Sequence, residues 1–91
     1  PNNQITREDA AVMMFRAVDG YGMDGSTIFG DSAEISDYAT EAVGILAANG
    51  LINGFENKFF PKDTTTRAEA ATMIYNIVQF REKTFSVKSV E

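Results

Sequence analysis

An all-α fold built from repeated helical units is what this sequence predicts, and three observations predict it. The chain resembles itself sixty positions apart, each copy opens on a helix-capping signature, and the apolar residues behind each cap recur at helical spacing. In that register Pro1 meets Pro61, Thr6 meets Thr66, Arg7 meets Arg67, Ala10 and Ala11 meet Ala70 and Ala71, Met13 meets Met73 and Val18 meets Val78. Asp9 with Glu69, Met14 with Ile74 and Phe15 with Tyr75 are similar pairs in the same register.

The repeat divides the chain. Residues 1–18 read as the C-terminal part of one unit, 19–28 as a flexible, Gly-rich connection, 29–78 as a complete second unit, and 79–91 as a C-terminal extension. The extension alternates charged and apolar residues, a pattern that lengthens the last helix or leads into a further segment. This is about one and a half units.

The elements follow in order. Thr6 at N-cap with Asp9 three residues on starts the first helix, whose apolar stripe is Ala10, Met13, Met14, Ala17 and Val18. Ser36 is the N-cap of a helix to Asn49, with Asp37 in its first turn and a stripe of Ala39, Ala42, Val43, Leu46 and Ala47. Asn49-Gly50 stops it, Gly50 supplying the left-handed conformation. Between Leu51 and Pro61, Gly54 and Glu56-Asn57 mark turns, and Phe55, Phe59 and Phe60 supply apolar weight. Thr66 with Glu69 forms a full capping box for the last helix, with Ala70, Met73, Ile74, Ile77 and Val78 behind it.

Composition removes several function classes. With 91 residues and 44% hydrophobic content, the chain can bury one thin core. It has neither cysteine nor histidine, so thiolate metal sites, disulfides and the commonest nucleophile–base pairs are excluded. A net charge of −5 with only 8 Lys and Arg disfavours nucleic acid as a partner. The longest apolar run, around Ala42–Ala48, is too short for membrane insertion. No basic segment leads into an apolar one at the start, and Pro1-Asn2-Asn3 reads as the beginning of a mature or cut fragment.

Capping accounts for Thr6, Asp9, Thr66 and Glu69, and for Glu8 as a first-turn acid, but not for the arginines. Arg7 and Arg67 stand at the first helical position in both copies, where a cation is mildly unfavourable. A guanidinium beside free helix N–H groups suits a carboxylate or phosphate ligand, while a structural ion pair accounts for it equally well. The thirteen Asp and Glu show no pair set up for acid–base work, and no catalytic residue is assigned. Counting a calcium loop from Asp19 places Tyr21 and Met23 at ligand positions, so no metal set or cofactor is called for. Most of the aromatics Phe29, Tyr38, Phe55, Phe59, Phe60 and Tyr75 read as core, with Tyr38 the one placed to offer its ring to a sugar.

These residues together resemble the S-layer homology family. Phe29-Gly30-Asp31 resembles its opening Phe-x-Asp, Tyr38-Ala39 and Ala42-Val43 its aromatic–Ala and Ala–Val pairs, and Gly50-Leu51-Ile52-Asn53-Gly54 its Gly-x-x-x-Gly turn. Phe60-Pro61 resembles the Phe-x-Pro segment, and Thr65-Thr66-Arg67-Ala68-Glu69 the signature Ile-Thr-Arg-Ala-Glu. The resemblance covers about three quarters of the chain and rests on the order and spacing of these motifs rather than on any one of them. It implies helix–loop–helix motifs, usually three in tandem, folded as a pseudo-threefold spindle around a helical bundle with ligand grooves between neighbouring motifs. It further implies non-catalytic, non-covalent anchoring of an extracellular surface protein to the cell wall of a Gram-positive-type bacterium. The implied partner is a secondary cell-wall polysaccharide, often bearing pyruvylated N-acetylmannosamine. By position, Arg67 and Arg7 would grip the pyruvate carboxylate, Asp31 and Gly54 would assist, and Tyr38 would pack near the sugar. A parent protein with a separate glycan-active domain is compatible with this. The alternative is a self-assembly or protein-interaction module, partnered by another copy or by neighbouring motifs, with the arginines structural. The sequence departs from the family where Thr65 replaces an aliphatic residue, where Glu8-Asp9 replaces Ala-Glu, and in holding only one complete motif.

Overall fold

The computed structural model describes residues 4–90, with side chains as far as Glu82. Three α-helices carry the fold: α1 (Arg7–Ala17), α2 (Asp37–Ala48) and α3 (Arg67–Val90). Short 3₁₀ turns at Gly20–Gly22 and Ser32–Glu34 punctuate the connection between α1 and α2. Among the described residues there is no strand, only the isolated bridges Thr6–Thr64 and Phe55–Lys58. The chain is all-α, as the repeat and its caps predict.

Local signals fix the helix ends. Thr6 accepts the Asp9 N–H at 3.2 Å and starts α1. Thr66 and Glu69 form the complete reciprocal box that starts α3, with Thr66 N–H on Glu69 Oε1 at 2.9 Å and Glu69 N–H on Thr66 Oγ1 at 3.1 Å. Gly50, at φ 73°, ends α2 in the left-handed conformation. Two caps differ from expectation. Asp9 does not reach back to Thr6; its carboxylate accepts from Tyr38. Ser36 holds the N-cap position of α2, but its hydroxyl makes no capping bond and donates to Glu8. In both cases a tertiary partner outcompetes the local one.

The core lies between α1 and α2. Ala11, Met14, Phe15 and Val18 meet Ala39, Ala42, Val43 and Leu46, and the loop residues Phe29, Ile35, Leu51, Ile52 and Phe59 close the cluster. The buried stripe of α1 is turned from the expected one: Ala11 and Phe15 face inward, while Met13 and Ala17 are exposed. Helix α3 contributes Met73, Ile77 and Phe80 at the edge of this core and leaves Ile74 and Val78 outside. The extension from residue 79 continues α3 to Val90. Only Phe29 and Phe59 among the six noted aromatics are buried; Tyr38, Phe55, Phe60 and Tyr75 are exposed. That reverses the expectation that most are core.

The connection 19–28 is tied down at both ends. Asp19 is left-handed at φ 54°, Met23 packs against the core, and Thr27 N–H bonds the Gly44 carbonyl at 3.1 Å. Between α2 and α3, Glu56 and Asn57 are both left-handed and make a two-residue turn closed by Phe55 and Lys58. The chain then returns across the start of α1. Arg7 N–H bonds Asp63 O at 2.8 Å, Glu8 N–H bonds Pro61 O at 3.0 Å and Thr65 N–H bonds Ile5 O at 2.8 Å. The second unit thereby satisfies two of the donors that a helix start leaves open, and fixes where the two units meet.

Candidate functional site

At that junction lies a cavity of about 470 Å³, walled by Arg7 from the first unit and by Asn53–Phe55, Phe59, Phe60 and the start of α3 from the second. Arg7 crosses it with its guanidinium anchored on three sides. Nε donates to the Phe59 carbonyl at 2.7 Å, Nη2 donates to the Asn53 carbonyl at 3.0 Å, and Nη1 pairs with the Glu69 carboxylate. The guanidinium carbon stands 4.8 Å from the centre of the Phe59 ring, in cation–π range. Three of the five N–H donors of an arginine are thus engaged, and two remain. The neighbouring helix N–H groups are not free: the loop carbonyls of Pro61 and Asp63 take them. The side chain of Arg7, not the start of its helix, is what the cavity offers to a ligand.

The structure brings two of the five expected ligand residues, Arg7 and Gly54, to this cavity. Gly54 lies against the loop that follows it. A Cβ there would stand 2.4 Å from the Lys58 carbonyl oxygen and 2.6 Å from the Phe29 ring, so the position requires a glycine for packing. Asp31 is buried behind the wall. Its two oxygens accept the N–H groups of Phe59 and Phe60 at 2.9 and 2.8 Å. Burial pushes its pKa up, but these backbone bonds and the nearby Lys58 charge outweigh it, and the carboxyl titrates below its ordinary value. Asp31 therefore shapes the cavity through the backbone it holds. Tyr38 stands elsewhere, its hydroxyl donating to Asp9 and Glu8. The bond to Asp9, partial burial and the Glu8 contact raise its pKa to about 12. Arg67 is exposed, does not line the cavity and has no hydrogen bond or ion pair among the described residues.

Glu8 has a part that a first-turn acid does not suggest. It is buried, and its carboxylate accepts Ser36 N–H at 2.8 Å, the Ser36 hydroxyl at 2.7 Å, the Tyr38 hydroxyl at 3.2 Å and Lys62 Nζ at 2.8 Å. Burial works to raise its pKa; Lys62, the two Ser36 donors and Tyr38 together overcome that and lower it to about 2. Glu8 ties α1 to the start of α2 and to the loop before α3. One signal marked it: the repeat has Ala68 where the first copy has Glu8, so a charge replaces a small apolar residue in an otherwise matching register.

The cavity sits where the loop before α3 returns over the start of α1, and residues 28–71 match the S-layer homology domain pattern. The chain carries an S-layer homology domain. The surrounding sequence is similar to parts of much larger proteins. It is 40% identical over 85 residues to an amylopullulanase of Thermoanaerobacterium thermosulfurigenes, covering 87% of this chain and 5% of that protein. It is 41% identical over 85 residues to exoglucanase XynX of Acetivibrio thermocellus, covering 87% of this chain and 8% of that protein. It is 27% identical over 95 residues to the surface-layer 125 kDa protein of Lysinibacillus sphaericus, covering 100% of this chain and 8% of that protein. The chain thus spans less than a tenth of the length of these relatives. No solved structure matches it. The S-layer homology domain is a non-catalytic cell-surface anchoring module, and no described helix is long and apolar enough to cross a membrane.

Proposed function

We propose that this S-layer homology domain anchors its parent protein to the cell wall of a Gram-positive-type bacterium by holding an acidic wall polysaccharide in the junction cavity. The observation that carries the reading is the Arg7 guanidinium, fixed over Phe59 between two units with two N–H donors left. A pyruvate ketal on N-acetylmannosamine presents a carboxylate suited to such donors. The Asn53–Gly54 backbone and Thr72 supply polar wall for its hydroxyls. A charge-assisted bond contributes about 1.5–3 kcal/mol, so firm anchoring draws on several junctions in one protein or on many copies in a surface layer. The names of two relatives fit a parent protein whose separate domain acts on glycans.

Pull-down on purified cell walls, with and without their secondary polymer, tests this. Arg7→Lys keeps the charge and loses the fork of donors, and Arg67→Ala removes the exposed arginine outside the cavity. Polymer-dependent binding that falls with Arg7→Lys and survives Arg67→Ala is expected. Loss in Arg67→Ala alone would move the receptor to the other arginine, and binding unaffected by both would remove arginine from the account. Melting curves of each variant separate lost binding from lost folding.

A second reading, assembly with a neighbouring unit, is favoured by one observation. In α1, Met14, Phe15 and Val18 are 2%, 4% and 7% exposed; their repeat partners in α3, Ile74, Tyr75 and Val78, are 61%, 63% and 44% exposed. The face that the second unit covers on α1 stands uncovered on α3. The two readings are compatible, since a unit seated on α3 would also bring partners to Arg67.

A further inference from the structure

The junction cavity holds its own carboxylate. Its ionisable lining is Arg7, Asp63 and Glu69, one cation against two acids, so an anionic ligand meets a wall of formal charge −1. Glu69 is the acid that matters, because it takes Nη1 of Arg7 directly. Its two oxygens divide the work. Oε1 accepts the Thr66 N–H and completes the cap of α3, while Oε2 pairs with Arg7 in the first unit. Capping needs a side-chain acceptor at this position but no charge, since glutamine serves there as well as glutamate. The charge is therefore available for another role.

The geometry points to Glu69 as a displaceable stand-in for the ligand carboxylate, an intramolecular occupant of the Arg7 seat that sets how strongly and how selectively the cavity takes anions. The inference rests on the proposed carboxylate-binding role of Arg7. Three features fit a stand-in better than a permanent brace. The Glu69 side chain is 39% exposed and the Arg7 side chain 17%, so the acid has solvent to move into while the arginine stays in place. The guanidinium keeps its bonds to the Phe59 and Asn53 carbonyls and its contact with the Phe59 ring when the acid leaves, so the seat survives vacancy. A cap held through Oε1 does not require Oε2 to remain on Arg7. An uncharged sugar gains nothing at this position, because its hydroxyls compete poorly with a carboxylate for a guanidinium. A ligand carboxylate exchanges like for like and releases Glu69 to water. Glu69 thus lowers the affinity of the cavity for anionic sugars and narrows their advantage over neutral ones, which suits attachment summed over many weak junctions.

Glu69→Gln tests this, with Glu69→Gln/Arg7→Lys as its partner. The probes are the 4,6-linked pyruvate ketal of methyl N-acetylmannosaminide and the same glycoside without the ketal, titrated into the isotope-labelled chain and followed by NMR. The expected result is ketal affinity several-fold to about tenfold higher in Glu69→Gln than in the unmodified chain, in line with an ion pair between partly exposed groups. The gain should vanish in the double variant, and melting temperature should change little because glutamine keeps the cap. The ratio of ketal to plain glycoside affinity should rise in Glu69→Gln, because the plain glycoside makes no use of the seat that Glu69 occupies. Equal or weaker ketal binding by Glu69→Gln, with binding intact in the unmodified chain, overturns the stand-in and leaves the Arg7 reading in place. Ketal binding by neither chain overturns both.

Discussion

Glu8 shows how much one side chain decides in a domain this small. It is buried, accepts three hydrogen bonds from Ser36 and Tyr38 besides its pairing with Lys62, and is held as a carboxylate with its pKa at about 2 against an ordinary 4.5. A pKa lowered by folding stabilises the fold only where the group is ionised. This contribution is therefore complete above about pH 4.5 and is lost as pH falls from there towards 2. Glu8→Gln should lower the melting temperature at neutral pH and flatten its fall across that window, read by thermal unfolding at a series of pH values. Thr65 is the opposite case. Its hydroxyl is buried without a hydrogen-bond partner among the described residues, at the position where the family pattern has an aliphatic residue. Thr65→Val should raise stability by about 1 kcal/mol by removing an unsatisfied donor, measured by denaturant unfolding; a loss of stability would mean the hydroxyl has a partner. Thr65 was legible in the sequence as a departure from the pattern, and so was Glu8 as a break in the repeat. Their burial was not, because it depends on which loop returns over α1.

At the scale of elements, the loop between α2 and α3 positions the site. Asp31 clamps the N–H groups of Phe59 and Phe60, and Gly54 lets the Lys58 carbonyl pass close by, so the carbonyls that hold Arg7 are fixed from behind. Asp31→Asn keeps one acceptor oxygen for two donors and should cost about 1–3 kcal/mol, with weaker wall binding as a consequence of a displaced wall. Gly54→Ala places a methyl group against the Lys58 carbonyl and the Phe29 ring; a loss of about 1–3 kcal/mol is expected, and an unchanged unfolding midpoint would mean the loop shifts freely. The helix starts were readable from Thr6, Thr66 and Glu69 because capping is local. On α1, Ala11 and Phe15 take the place of Met13 and Ala17 in the expected stripe, and Ser36 and Asp9 leave their local capping duties for Glu8 and Tyr38, which are 28 and 29 residues away and so outside the reach of a local signal.

At the scale of the whole molecule, the repeat makes the protein its own control. Helix α1 is covered by the segment that follows it, while among the described residues the matching face of α3 is not covered, and the difference in exposure falls on matching residues. A chain in which Asp19–Val78 is repeated directly after Val78 keeps the register of the repeat and supplies α3 with such a segment. Hydrogen exchange around Ile74, Tyr75 and Val78 should slow in that longer chain, and Ile74→Asp should restore it while leaving the shorter chain as stable as before. Exchange as fast in the longer chain as in the shorter one would show that the α3 face is not a seat for a unit of this kind.

By itself the sequence determined the helical class, the sixty-residue repeat, the caps and stops of the helices and the family resemblance, since each is written in residues close together or in a register that sliding the chain on itself reveals. It also singled out the arginines as the residues that capping leaves unexplained. Only the tertiary structure decided which arginine meets a cavity, that Glu69 shares its carboxylate between a cap and Arg7, that Asp31 braces the wall from behind, and that Glu8 is buried. The reason is physical. Arg7 and Glu69 are 62 residues apart and meet only because the second unit folds back over the start of α1. Arg67 has the same local sequence signal and no such unit over it among the described residues.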